Sequence, residues 1–270
     1  PLTYAGVTLA RAGVWGVPEA RVAQALQSNP HSPRLRSQLA ITAAQQGDLD
    51  GALAHVDMAA RGVAAPPRRT LALWRLTVAC VANKPLADGS AIDDALAPGS
   101  TRILVSEMIA FEAITERLES AACSWPDVPP MLKLGHAMLS TSTQPRSAHY
   151  VWRTRYLVAR LVALSGDLAQ AATVAEQAWD DSDWNAGVGV LVFQLNASLG
   201  DIAACRRVLD RLKATAGAGD RRAWAAIAKF ETFVRDADSA AAQSQPPAPM
   251  PAPAAAGNAR QRLGVGPGFE

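Results

Sequence analysis

The sequence predicts an all-α solenoid of antiparallel helix pairs. Three observations predict it: an Ala-rich composition, an internal repeat with a period of 34 residues, and Gly-Asp steps that split each repeat into two helical runs. Ala makes up about a fifth of the 270 residues; it is the best helix former, and its small side chain lets helices pack closely. The strand formers Val, Ile, Tyr and Phe are comparatively scarce. With 49% hydrophobic residues the chain can bury a core, which excludes wholesale disorder. A net charge of +2 excludes a strongly basic nucleic-acid binder. No apolar run is long enough to be expected to span a membrane, and the first residues given do not show the charged-then-apolar pattern of a signal peptide. The first residue is Pro1, so the sequence reads as a processed chain or a piece of something longer.

Gly166-Asp167 and Gly200-Asp201 lie 200 − 166 = 34 residues apart, and Gly47-Asp48 occupies the same place in an earlier copy. In that copy Leu39, Ala40 and Ala43 share one helical face, and Gly47 suits the left-handed stop of the helix. Asp48 then caps a second helix carrying Ala52, Val56 and Ala59 on one face. Later copies repeat the pattern with Val158, Val162, Ala171, Ala175 and Ala178, and with Val192, Cys205, Leu209 and Leu212. Ala52, Ala171 and Cys205 mark the positions where paired helices approach closely. The chain therefore divides into a partial repeat over 1–30, a full repeat over 31–67, an irregular helical middle over 68–150, two repeats plus a capping helix over 151–236, and a disordered Ala/Pro/Gly-rich tail over 237–270.

Within the middle, 166 − 47 = 119 residues separate two Gly-Asp steps, which is not a whole number of periods. Residues 70–83 are apolar around much of their circumference and read as a buried helix. Residues 84–90 read as a loop from their Pro and Gly. Ser100 is the expected cap of a helix bearing Ile103, Met108, Phe111, Ile114 and Leu118. Pro129 opens another helix. Two or three expanded helix pairs are expected in this stretch. Over 220–236, Ile227, Phe230 and Val234 are placed to cover the open end of the stack.

A 34-residue helix–turn–helix with this alternation of small and large residues resembles the tetratricopeptide repeat, over roughly 20–62 and 151–236. Ala25, Leu26 and Pro30 resemble the end of one more copy. The usual Trp of the first helix is missing, and Asn196 stands where the family has an aromatic. The resemblance implies a non-catalytic scaffold whose concave surface, lined by the first helix of each pair, binds a protein or peptide. That surface carries Arg34, Ser37, Ile41 and Gln45, then Arg153, Tyr156 and Arg160, then Gln194, Arg221 and Trp224. Arg and aromatic residues are the usual interface anchors, and Arg forks suit carboxylates, so an acidic or C-terminal-carboxylate ligand is one expectation. A merely solvated basic face is the other. The scarcity of lysine (Lys84, Lys133, Lys213 and Lys229) reads as the mark of a GC-rich genome or as selection for anion recognition.

No catalytic residue, metal ligand, cofactor or nucleic-acid partner is expected. His31, His55, His136 and His149 belong to no catalytic motif, and adjacent carboxylates at Asp93-Asp94 and Asp180-Asp181 point different ways on a helix. Cys205 reads as a small buried hydrophobe. Cys80 and Cys123 lie near helix ends in the middle region; they either form a disulfide, which would place the domain in an oxidising compartment, or remain reduced. The order of parts also resembles the soluble repeat region that follows the membrane helices in some bacterial envelope glycosyltransferases, including O-antigen ligase or polymerase-like proteins and protein O-glycosylation ligases. That resemblance implies upstream catalytic residues, an upstream membrane tether and a periplasmic location for this chain, in preference to a cytoplasmic one.

Overall fold

The computed structural model describes residues 18–244 except 64–65, 88, 98–99 and 218. Twelve helices fill the described residues, and no strand occurs among them. They are α1 (Pro18–Ser28), α2 (Pro33–Gln45), α3 (Leu49–Arg61), α4 (Arg68–Ala82), α5 (Ser90–Leu96), α6 (Val105–Glu119), α7 (Val128–Thr141), α8 (His149–Leu164), α9 (Leu168–Asp181), α10 (Ala186–Ser198), α11 (Ile202–Thr215) and α12 (Arg221–Ser244). The chain is an all-α, tetratricopeptide-like solenoid in which α2/α3, α8/α9 and α10/α11 are the three Gly-Asp hairpins.

The hairpins share one local mechanism. Gly47, Gly166 and Gly200 have φ of 79°, 93° and 74°, the left-handed region where a side chain would be strained. The next residue caps the second helix: Asp48 accepts from the Gly51 N–H at 2.9 Å, Asp167 from Gln170 at 2.9 Å and Asp201 from Ala204 at 2.8 Å. Ala52, Ala171 and Cys205 are each fully buried where the two helices meet.

The middle holds four helices. Between Leu96 and Val105 the expected start at Ser100 is wrong. Ser100 instead closes a tight turn, its hydroxyl donating to the Arg102 carbonyl and accepting from the Arg102 N–H. The helix begins at Val105, because Glu107 reaches back to accept from the Leu104 N–H at 3.2 Å. Pro129 and Pro130 open α7 as expected. Helix α8 begins at His149, just ahead of the boundary expected at 150. At the C-terminal end, α12 continues past the boundary expected at 237 and runs to Ser244, since the Ala run 240–242 favours helix. The rest of the expected tail, and residues 1–17 of the expected partial repeat, lie outside the described residues.

The first helices run parallel. Near their N-terminal ends, Arg69 of α4 donates to Glu107 of α6 at 2.8 Å. Near their C-terminal ends, Arg117 of α6 donates to the Val81 carbonyl at 3.2 Å, and Lys84 reaches the Gly47 carbonyl at 2.7 Å. The main core extends from α4 to α12, centred on Leu73, Leu76, Phe111, Met131, Leu134 and Leu157, each with no exposed surface. At its tightest point Gly135 of α7 packs between Phe111 and Val158. A Cβ there would lie 2.5 Å from Val158 Cγ2 and 2.9 Å from Phe111 Cζ. Val158 is stiff at χ1 and cannot swing away. Gly135→Ala is therefore expected to cost about 1–3 kcal/mol, against the usual gain of Ala over Gly inside a helix. A thermal melt checks this; an unchanged or raised midpoint would contradict the packing.

Candidate functional site

The parallel first helices α2, α4, α6 and α8 present one continuous face, and it changes character along its length. Over α2, α4 and α6 it forms an apolar slot of about 350 Å³, lined by Ser37, Ile41, Trp74, Thr77, Ile109 and Ala113, among others. Ile109 is 55% exposed, and Val105, one turn before it on α6, is 49% exposed. Val105 and Ile109 stand one turn apart beside a half-buried Trp, so they form a contiguous apolar patch, unlike the exposed apolar side chains Leu199 or Leu164 elsewhere in the chain. Trp74 and Ile109 were not singled out in the sequence. Trp74 falls in a run that reads as wholly buried, and only the stacking of three helices turns its edge to the surface.

Over α6, α8 and the start of α10 the face becomes charged. A cleft of about 330 Å³ brings together Glu112, Glu116, Arg153, Tyr156 and Arg160 with the 185–188 turn. Three of the residues expected on the binding face meet here, yet the forks of the two arginines are not free. Arg153 binds Glu112 through Nε and Nη2, and Arg160 binds Glu119 in the same two-pronged way. The register is physical: Glu112 and Glu119 are two turns apart on α6, Arg153 and Arg160 two turns apart on α8, so parallel helices zip them pair by pair. Burial opposes charge on Arg160, but the Glu119 hydrogen bond, with Tyr156, Glu119 and Glu116 nearby, outweighs it and raises the pKa. The Arg160 guanidinium also sits 5.4 Å from the centre of the Tyr156 ring.

The other expected residues lie apart. Arg34 is exposed at the start of α2, lining a cleft against α1, and Gln45 is exposed at the end of the same helix. Gln194 is exposed on α10. Arg221 is exposed at the start of α12, where Trp224 donates its indole N–H to the Gly217 carbonyl at 3.1 Å. Asp181, expected just past a helix end, is the last residue of α9 and pairs with Arg155. Cys80 and Cys123 are buried with Cα atoms 5.1 Å apart and their sulfurs joined as a disulfide, which ties the end of α4 to the α6–α7 connection. Beside it, Asn83 accepts from both the N–H and the hydroxyl of Ser124 at 2.9 Å. Cys205 is a buried free thiol whose pKa is raised by burial and then by the charge of Asp201.

Among the described residues no group of three or more His, Cys, Asp or Glu could hold a metal ion, and no helix is long and apolar enough to cross a membrane. A family model described as tetratricopeptide repeat matches residues 33–58, the length of α2 and most of α3. No curated protein matches the chain. The chain is a tetratricopeptide-like helical repeat protein. Proteins built this way are in general interaction scaffolds.

Proposed function

We propose that this chain is a non-catalytic scaffold that docks a protein segment on its concave first-helix face, with the slot between α2, α4 and α6 as the primary contact. One observation carries the reading: Ile41, Trp74, Ile109 and Ala113 converge on an open apolar slot of about 350 Å³. An apolar centre surrounded by polar groups is the anatomy of a peptide or helix groove. The charged cleft next to it contributes shape and rigidity, because its arginines already hold Glu112 and Glu119. The test is a pull-down from source-cell extract with wild-type protein and Ile109→Asp, using Leu199→Asp at a distant exposed site as the control. Proteins held by wild type and by the control are expected to be lost with Ile109→Asp. If Ile109→Asp retains the same proteins, the slot is not the docking surface.

A second reading concerns the compartment. The pairing of Cys80 with Cys123 supports residence where disulfides persist, as in a bacterial periplasm or another extracytoplasmic space. It bears on compartment alone and does not by itself carry a link to an envelope glycosyltransferase.

A further inference from the structure

The loops and turns that lead into the first helices are not evenly charged. Arg34, Arg68 and Arg102 follow one another at 68 − 34 = 34 and 102 − 68 = 34 residues, the period of the repeat. Arg68 is the first residue of α4, Arg102 precedes α6, and Arg146 precedes α8. Hydrogen bonds bring the last three segments to one edge. Arg69 Nη2 donates to the Arg102 carbonyl at 2.9 Å, which ties the start of α4, where Arg68 lies, to the turn that carries Arg102. The Thr143 N–H donates to the Thr101 carbonyl at 2.8 Å, and the Ile103 N–H to the Gln144 side chain at 2.6 Å, which sets the 142–146 segment against 101–103. Arg146 is close enough to Arg155 that, after burial, its charge is the next cause lowering the Arg155 pKa.

Arg68, Arg102 and Arg146 are all exposed, and among the described residues none has a partner for its guanidinium. Asp94 lines a cleft with Arg68 without forming an ion pair. Their placement also works against helix stability, since cations are disfavoured at the positive end of a helix dipole. Arginines deeper in the fold already hold a carboxylate of this chain: Arg69 holds Glu107, Arg153 holds Glu112 and Arg155 holds Asp181. A row of open forks beside a layer of filled ones is suited to carboxylates from outside the chain.

We propose that this edge, with Arg68, Arg102 and Arg146, is a second contact region that binds an acidic stretch of the protein partner, next to the apolar side chains it places in the slot. This rests on the slot reading above. The link between the two regions is α6: the exposed Val105 and Ile109 lead from Arg102 into the slot. That continuity favours a protein segment, which can set carboxylates a few residues from bulky apolar side chains that fill a bounded slot of about 350 Å³, over a nucleic acid, charged along its whole backbone, or a lipid surface, which is broad and flat on that scale.

The test uses the purified full chain and two fluorescein-labelled peptides, a run of Glu followed by Leu-Phe-Leu and the same peptide with Gln in place of Glu, read by anisotropy across a salt series. The Glu peptide is expected to bind at least roughly tenfold more tightly than the Gln peptide near 0.1 M salt, and to weaken as salt rises. The triple variant Arg68→Gln, Arg102→Gln, Arg146→Gln is expected to erase that difference. A control triple, Arg207→Gln, Arg222→Gln, Arg235→Gln, is expected to keep it. Ile109→Asp separates the two readings. If Glu and Gln peptides bind wild type equally and Ile109→Asp abolishes both, the edge proposal fails and the slot stands. If the charge-dependent binding is present but indifferent to Ile109→Asp, the slot reading fails. Absence of binding by the Glu peptide overturns the edge proposal. So does tighter binding, dependent on the same three arginines, to phosphatidylglycerol vesicles or to an oligothymidylate.

Discussion

Glu107→Ala is expected to be the most damaging single substitution on the first-helix layer, lowering stability by about 3–5 kcal/mol. Glu107 has no exposed surface and accepts three hydrogen bonds, from Arg69 Nη2 at 2.8 Å, Thr70 Oγ1 at 2.9 Å and the Leu104 N–H at 3.2 Å. Removing it leaves the Arg69 guanidinium, only 5% exposed, charged and without a counter-ion. It also leaves the Leu104 N–H at the start of α6 without its acceptor. The cost lies in the orphaned partner more than in the pair, because taking two charges out of water is itself expensive. A specific pattern follows. Glu107→Gln should lose less than Glu107→Ala, since the amide oxygen still accepts. The double variant Arg69→Met, Glu107→Leu should recover much of the loss by removing both charges together. Urea midpoints of the four proteins check this. Equal midpoints for wild type and Glu107→Ala would show that the pair holds nothing.

The fold was legible where the local chemistry repeats. A Gly that ends one helix and an Asp that starts the next are adjacent in sequence, so Gly47-Asp48, Gly166-Asp167 and Gly200-Asp201 announce three hairpins without any tertiary information. The apolar faces built on Ala52, Ala171 and Cys205 are legible for the same reason. What was hidden depends on distant partners. Arg153 and Arg160 read as free forks because their carboxylates lie on another helix, 41 residues away in each case. Arg69 and Glu107 are 38 residues apart, in a stretch where the period slips, so nothing local says that an Arg at the start of one helix fills a buried site at the start of another. Ser100 has the chemistry of a cap but closes a turn onto Arg102, because a hydroxyl can do either. The slot was hidden because exposure is a property of the stack: Trp74 and Ile109 are ordinary apolar positions until three helices leave a gap between them.

Reduction of the protein is expected to remove about 4 kcal/mol of stability, the chain-entropy cost of releasing a loop closed across 43 residues. The loss should be larger than for a bridge within one hairpin, because Cys80 and Cys123 join the end of α4 to the connection after α6 and so close a whole helix-pair's worth of chain. Both cysteines are buried, and Asn83 holds Ser124 beside them, so native packing should persist while the reduced chain gains freedom mainly when unfolded. A thiol count on protein purified without reductant separates the states. Native protein should show no reactive thiol, since Cys205 is buried and its pKa is raised by burial and Asp201. Unfolded, unreduced protein should show one. After reduction it should show three, with a urea midpoint well below that of the oxidised form. One thiol would place the working protein where disulfides persist. Three thiols before any reductant is added would mean that the bridge does not form, and the compartment would then have to be argued from the partner that the slot and its arginine edge select.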